Sequence, residues 1–263
     1  MIDLVRKKSY SFNDLMEVVR ILRAPGGCPW DREQTHQSIR RNFLEEVCEA
    51  VEAIDENSPE HLKEELGDVL LQVALHAVME EEAGRFTMDD VADGICKKLI
   101  YRHPHVFGDV VADTTGEVLA NWEQLKRREK GQVSTSDAID AVSRALPALW
   151  RAEKIQSKAA KVGFDWDCTA GAMDKLTEET AELSSALSGE GDPVEELGDL
   201  LFAAVNVARF LKADPEDVLH AASDKFAARF RRVEDAVTAR GLQMDELSLA
   251  ELDAIWDEIK RQA

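Results

Sequence analysis

Residues 176–199 read LTEETAELSSALSGEGDPVEELGD, and the fold follows outward from them. Glu178, Glu179 and Glu182 fall in one helical segment, and Glu196 and Asp199 fall in the next. Positions three apart on a helix share a face. Glu179 and Glu182 therefore form one carboxylate pair, and Glu196 and Asp199 another. The break between them, with Ser188, Gly189, Gly191, Asp192 and Pro193, is short enough to make the helices antiparallel neighbours. Four anions then face each other across a helix pair, and their repulsion calls for a positive charge. An all-oxygen set suits a hard divalent cation, Mg²⁺ or Mn²⁺.

The pattern occurs a second time. Residues 43–68 contain Glu45, Glu46 and Glu49, then Glu65-Leu66-Gly67-Asp68, so the matching quartet is Glu46, Glu49, Glu65 and Asp68. One EExxE segment is commonly a solvated helix face. Two copies, each followed by ELGD after a similar gap, argue for a site, because a charged surface has no use for Gly-Asp at a fixed offset.

The remaining composition narrows the class. A chain of 263 residues accommodates one or two domains with ample core. The formal charge of −20 speaks against nucleic acid or an anionic membrane as partner, since phosphates demand a basic surface. A small phosphorylated ligand is still compatible, because bound divalent metal reverses the local field. Cys28, Cys48, Cys96 and Cys168 are widely spaced without a CxxC, which fits reduced thiols in a cytoplasmic protein. No leader-like or membrane-spanning apolar run is evident. Aromatics make up 6% and alternating β-branched runs are nearly absent, so the chain is expected to be all-α.

Taken in order, Ser11 with Asp14 opens a helix to about residue 22. A break at residues 24–29 leads to a Trp30-Asp31 turn. The next helix, about 35–54, places Ile39, Phe43, Val47, Val51 and Ile54 on one stripe. A helix over about 60–81 is apolar nearly all round in its middle, which predicts burial on every side. Thr87 with Asp90 caps a helix ending near Tyr101, and a further one carries Trp122. Residues 131–137, GQVSTSD, are the best linker candidate. The expected organisation is a first domain at 1–130, a linker at 131–145 and a second domain at 146–263. In the second half a helix over about 147–161 leads to Gly163-Phe164-Asp165-Trp166-Asp167, which parallels the Trp30-Asp31 turn. Asp192 and Pro193 start the mostly apolar helix that follows the second acidic one. Asp214-Pro215 starts the next, Gly241 ends it, and Ser248 with Glu251 caps the last.

More than the acids repeats. Lys98-x-x-x-Arg102 follows the first ELGD and Lys225-x-x-x-Arg229 the second, each a basic pair on one helix face. Trp122-x-x-x-Lys126 and Trp256-x-x-x-Lys260 follow in turn, and among the tryptophans Trp150 alone has no counterpart. Divalent metal with Lys and Arg can hold a polyphosphate and stabilise charge on its oxygens. A tryptophan alongside can stack on a nucleobase.

EExxE…ELGD, with CPWD at residues 28–31, YRHPHVF at 101–107 and the matched Trp/Lys ends, resembles the MazG family of nucleoside triphosphate pyrophosphohydrolases. The likeness covers nearly the whole chain as a tandem two-domain member. It implies an all-α fold whose helix bundles are completed in a homodimer. It also implies Mg²⁺-dependent hydrolysis of NTPs to monophosphate and pyrophosphate, with the C-terminal half the competent one. By motif, Glu179, Glu182, Glu196 and Asp199 would hold metal, and Lys225 and Arg229 would grip phosphates. Trp256 and Lys260 would lie by the nucleotide, with Lys175 on the approach to the acidic helix. Two ions are expected, one on phosphate oxygens and one activating water, with Glu178 the candidate general base. Asp192 stands where similar proteins carry a basic residue near the triphosphate, and His61 stands there in the first half.

Two other readings compete with this one. A carboxylate-bridged di-iron bundle requires paired ExxH motifs, and the one ExxH here, Glu33 to His36, lies outside both clusters. A scaffold whose acids bind metal structurally stays open for the first half.

Overall fold

The computed structural model describes residues 6–112, 114–129, 131 and 133–261. The expected domain limits at residues 1, 130 and 263, and Gln132 of the expected linker, lie outside the described residues. All regular structure among the described residues is helical. The chain divides into two compact units, Met1–Lys126 and Arg127–Ala263.

The first unit comprises α1 (Phe12–Arg23), α2 (Pro29–Glu33), α3 (Arg40–Asp55), α4 (Pro59–Glu82), α5 (Met88–Arg102) and α6 (Pro104–Phe107). It ends inside α7 (Thr115–Glu129). Ser11 and Asp14 form the expected capping box on α1, and Thr87 and Asp90 form another on α5. Trp30 sits in the short helix α2 rather than in a turn. The acidic helix α3 starts five residues later than its apolar pattern suggests. The Thr35 N–H donates to Ser38 Oγ at 2.9 Å and the Ser38 N–H donates back to Thr35 Oγ1 at 3.2 Å. These local bonds satisfy amides that a helix would otherwise use.

α3 and α4 pack as an antiparallel pair, and α1 covers the far part of α4. There Met16 and Val19 meet Ala74, Leu75, Val78 and Met79, with Ile39 closing the cluster. The expectation that α4 is buried on every side holds only for that far part: Leu66 is exposed and Val69, Leu70 and Leu71 are half-buried. The α3 stripe divides in the same way. Ile39 is in the core, while Val47, Val51 and Ile54 are exposed.

The second unit contains α8 (Thr135–Asp140), α9 (Ala148–Ala160), α10 (Thr169–Leu187), α11 (Pro193–Phe210), α12 (Pro215–Ala239) and α13 (Leu249–Arg261). α8 lies within the segment expected to be a linker. Ser134 and Asp137 form a capping box, and Ala138 and Val142 are buried as α8 packs on α9. The Ser-x-x-Asp spacing is a helix-start signal that the polar composition had masked.

α10 and α11 repeat the antiparallel pair. Gly191, at φ 130 in the turn between them, adopts a backbone conformation that side-chain-bearing residues avoid. Asp192 then caps α11, accepting from the Val194 N–H at 2.9 Å, with Pro193 at the first helical position. Asp214 caps α12 and also accepts from Trp150 Nε1 at 2.8 Å, which gives the unmatched tryptophan a structural task. α12 and α13 close on Val233, Val237, Ile255 and Ile259. Burying each such side chain contributes about 1.5–3 kcal/mol.

Candidate active site

The α10–α11 pair brings one carboxylate oxygen from each of Glu179, Glu196 and Asp199 within 4.8 Å of one another. Glu179 is 5% exposed, because its side of α10 faces α11. Glu182, one turn further along α10, is exposed and lies outside this trio. Loss of solvation raises its pKa, Lys175 opposes the rise, and the charges of Glu179, Glu178 and Glu196 add to it. The positive partner demanded by the clustered anions is Lys175. Its ammonium lies 2.8 Å from Glu178 and 2.6 Å from Glu179, and both contacts raise the lysine's pKa. Glu178 itself is exposed.

A cavity of about 650 Å³ opens beside the trio, with Lys175, Glu179 and Asp199 in its wall. That is the size and character of a small-ligand site. Trp166 and Phe202 supply apolar surface, and Gln156, Asn206 and Arg209 supply polar groups. Those three polar residues were not singled out from sequence. Asn206 and Arg209 do leave a trace there, since they interrupt an otherwise apolar stretch of α11.

The first unit assembles the corresponding trio, with oxygens of Glu46, Glu49 and Glu65 within 4.8 Å of one another. Glu65 is 8% exposed; its Oε1 lies 3.2 Å from His61 Nε2 and its Oε2 has no partner. His61 is held mainly by Glu56, 3.0 Å away, which raises the imidazole pKa. Asp68 is outside the trio, yet its charge reaches both Glu46 and Glu65. Desolvation comes first in raising those two pKa values; Asp68 and then Glu49 follow for Glu46, and Glu49 leads for Glu65. An orphaned buried carboxylate oxygen within an all-oxygen donor set fits a divalent cation in that place.

The cations are arranged differently in the two units. In the first, Arg102 lies over the Trp122 ring at 5.4 Å from the centroid and Lys126 lies over it at 4.8 Å. In the second, Lys225 is exposed and Arg229 half-buried on α12, and Lys260 is exposed on α13. Trp256 packs on the α12–α13 core with its ring 5.1 Å from Phe226. None of these four is among the described residues lining the cavity.

Two antiparallel helix pairs, each presenting a carboxylate trio that could hold a hard cation, define a tandem all-α protein built around acidic nests. The chain belongs to the MazG nucleotide pyrophosphohydrolase domain family, whose model matches residues 34–107 and 170–233. Each matched segment holds one nest and one Lys/Arg pair. The chain is 44% identical over 249 residues to the nucleoside triphosphate pyrophosphohydrolase/pyrophosphatase MazG of Thermotoga maritima, covering 95% of each protein. It is 45% identical over 253 residues to the nucleoside triphosphate pyrophosphohydrolase of Escherichia coli K12, covering 94% of this chain and 96% of the other. A Bacillus subtilis protein, YabN, is 48% identical over 254 residues, which span 95% of this chain and 52% of YabN.

Proposed function

We propose that the protein is a Mg²⁺-dependent nucleoside triphosphate pyrophosphohydrolase, converting NTPs and dNTPs to monophosphates and pyrophosphate, with the second unit carrying the turnover. The observation that carries this reading is the Glu179/Glu196/Asp199 trio opening on a cavity of about 650 Å³. The family and the names of the relatives support the reaction class. Glu179, Glu182, Glu196 and Asp199 would hold the metal, with Mn²⁺ as a substitute. When bound, a divalent ion supplies neutralisation of phosphate charge and lowers the pKa of water. Lys175, whose ammonium contacts both Glu178 and Glu179 at the edge of the trio, would face the phosphates. Glu178, exposed beside the trio, would be the group that accepts a proton from the attacking water. Lys225 and Arg229 would grip the phosphates, and Trp256 and Lys260 would border the nucleotide.

The first unit has a different interior, which supports assigning turnover to the second. In the register of the two ELGD motifs, Leu75 and Val78 correspond to Asn206 and Arg209. Leu75 and Val78 are buried against α1, whereas Asn206 and Arg209 line the cavity. The first nest, with Glu46, Glu49, Glu65 and Asp68, would then bind metal mainly in a structural role.

A homodimer belongs to the same proposal. Val47, Val51 and Ile54 on α3, and Leu197, Leu201 and Phe202 on α11, are exposed apolar side chains. A second copy of the chain would cover these faces, and the same assembly would bring α12 cations toward a nest. Location in the cytoplasm is proposed too; the four cysteines are free, and no helix among the described residues is long and apolar enough to cross a membrane.

Incubation of the full chain with a panel of NTPs and dNTPs, with and without Mg²⁺, tests the reaction. Equal amounts of monophosphate and pyrophosphate are expected, in the presence of metal. Diphosphate with orthophosphate as the products would overturn it.

A further inference from the structure

The cavity beside the second nest contains two side-chain amides whose orientations are dictated by their neighbours. Gln156 on α9 is 8% exposed, and its Nε2 donates to the Phe202 carbonyl oxygen at 2.7 Å. A carbonyl can only accept, so the amide cannot be turned over, and Oε1 is left buried without a partner. Asn206 on α11 is fixed in the opposite sense. Its Oδ1 accepts from Arg209 Nε at 3.1 Å and from Nη2 at 2.8 Å. A guanidinium can only donate, so Nδ2 is the atom that Asn206 has left to offer. Arg209 is itself held by Asp165, through Nη1 at 2.9 Å and a second contact from Nη2.

The wall of the cavity therefore holds a buried, unpaired acceptor at Gln156 and a donor at Asn206, with apolar residues that include Trp166 and Phe164. A buried unpaired acceptor is costly in the free protein, and a ligand with an N–H would relieve it. Phosphate has no use for that oxygen. A flat ring with apolar faces and both hydrogen-bonding senses on its edge does, and that describes a nucleobase. The register comparison agrees, because the first unit has Leu75 where the second has Asn206 and packs it into a core.

Resting on the pyrophosphohydrolase reading, we propose that Gln156 and Asn206 determine which base the second unit accepts. Gln156 Oε1 takes a hydrogen bond from an N–H of the base, and Asn206 Nδ2 gives one to a ring nitrogen or carbonyl. Arg209 and Asp165 are positioning residues that hold the Asn206 amide in that sense.

The test is calorimetric binding of the α,β-methylene analogues of ATP, GTP, CTP and UTP in Mg²⁺, which does not depend on turnover. It is run on the full chain and on the variants Asn206→Asp and Gln156→Met, each checked for folding by circular dichroism. Asn206→Asp keeps the oxygen that engages Arg209 and exchanges the donor for an acceptor. The expected result is about a tenfold change in the relative affinities of the four analogues, the size of effect one hydrogen bond provides. Gln156→Met is expected to weaken the preferred analogue by a similar factor. Asn206→Leu, which copies the first unit's residue, should level the differences among the four. Relative affinities unchanged within twofold in Asn206→Asp, or equal in the wild type, overturn base reading by this pair. Base-dependent binding that shifts as expected, with no pyrophosphate released from any NTP, would instead overturn the hydrolytic reading and leave base recognition standing.

Discussion

Glu179 shows what a single residue has to withstand here. Its carboxylate is 5% exposed, shares a nest with Glu196 and Asp199, and has the Lys175 ammonium 2.6 Å away. Burying a charge without a partner is expensive, so the acid is tolerable while either Lys175 or a metal ion neutralises it. Removing the carboxylate should therefore cost function far more than stability. Glu179→Ala or Asp199→Ala is expected to lower pyrophosphate release by roughly a thousandfold or more, equivalent to ~4 kcal/mol of barrier. Glu49→Ala in the first nest should retain most of the rate. A steady-state assay at saturating Mg²⁺ compares the three variants, and loss of activity in Glu49→Ala alone would reverse the assignment of the active half.

Among the elements, α4 and α11 share an unexplained glycine. A Cβ built at Gly67 or Gly198 would meet no atom within 4 Å beyond its chain neighbours and its own helix backbone. Both lie inside helices, where glycine is ~1 kcal/mol less favourable than alanine. Packing within the chain gives no reason for that cost. Close approach of a second copy or of substrate would supply one, and Leu197 and Leu201 on the same helix are exposed to solvent. Gly198→Ala is accordingly expected to stabilise the dissociated chain by ~1 kcal/mol while weakening its self-association. Thermal unfolding at low concentration and sedimentation velocity at high concentration separate the two effects. An unchanged association state would remove this argument for the dimer.

For the whole molecule the governing quantity is the net charge of −20. At the nests, Glu46, Glu65 and Glu182 have pKa values raised by desolvation first, with neighbouring carboxylates adding to the rise. A carboxyl whose folded pKa lies above its unfolded one keeps its proton in the folded state longer than in the unfolded state. Stability attributable to these groups is thus highest below the ordinary carboxylate range, falls as pH rises through it to the raised values, and stays reduced above them. Mg²⁺ should offset the loss where the groups are ionised. At a hundredfold excess over its Kd a ligand specific for the folded state contributes about 2.7 kcal/mol, several degrees in Tm. Melting curves with MgCl₂ against NaCl at matched ionic strength should show a Mg²⁺-specific increment at neutral pH that vanishes toward pH 4. An increment equal for both salts at every pH would mean screening rather than site binding.

Local rules were enough for much of this protein. Helix identity, the caps at Ser11, Thr87, Asp192 and Asp214, the two antiparallel acidic pairs and the family resemblance all depend on residues a few positions apart, whose geometry is repeated every turn. The repeat itself was legible because Glu, Gly and Asp recur at fixed offsets in each half. Long-range packing decided the rest. It selected three acids of each quartet, put Lys175 on Glu179, placed α8 within the expected linker, and directed Trp256 onto the α12–α13 core. It also opened the cavity that Gln156 from α9 lines together with Asn206 and Arg209 from α11. Those residues are about fifty positions apart, as the hydrogen bond from Gln156 to Phe202 with its separation of 46 illustrates. No periodicity encodes which helix faces which, because that choice is set by how apolar surfaces and buried polar groups are satisfied together once the chain has closed.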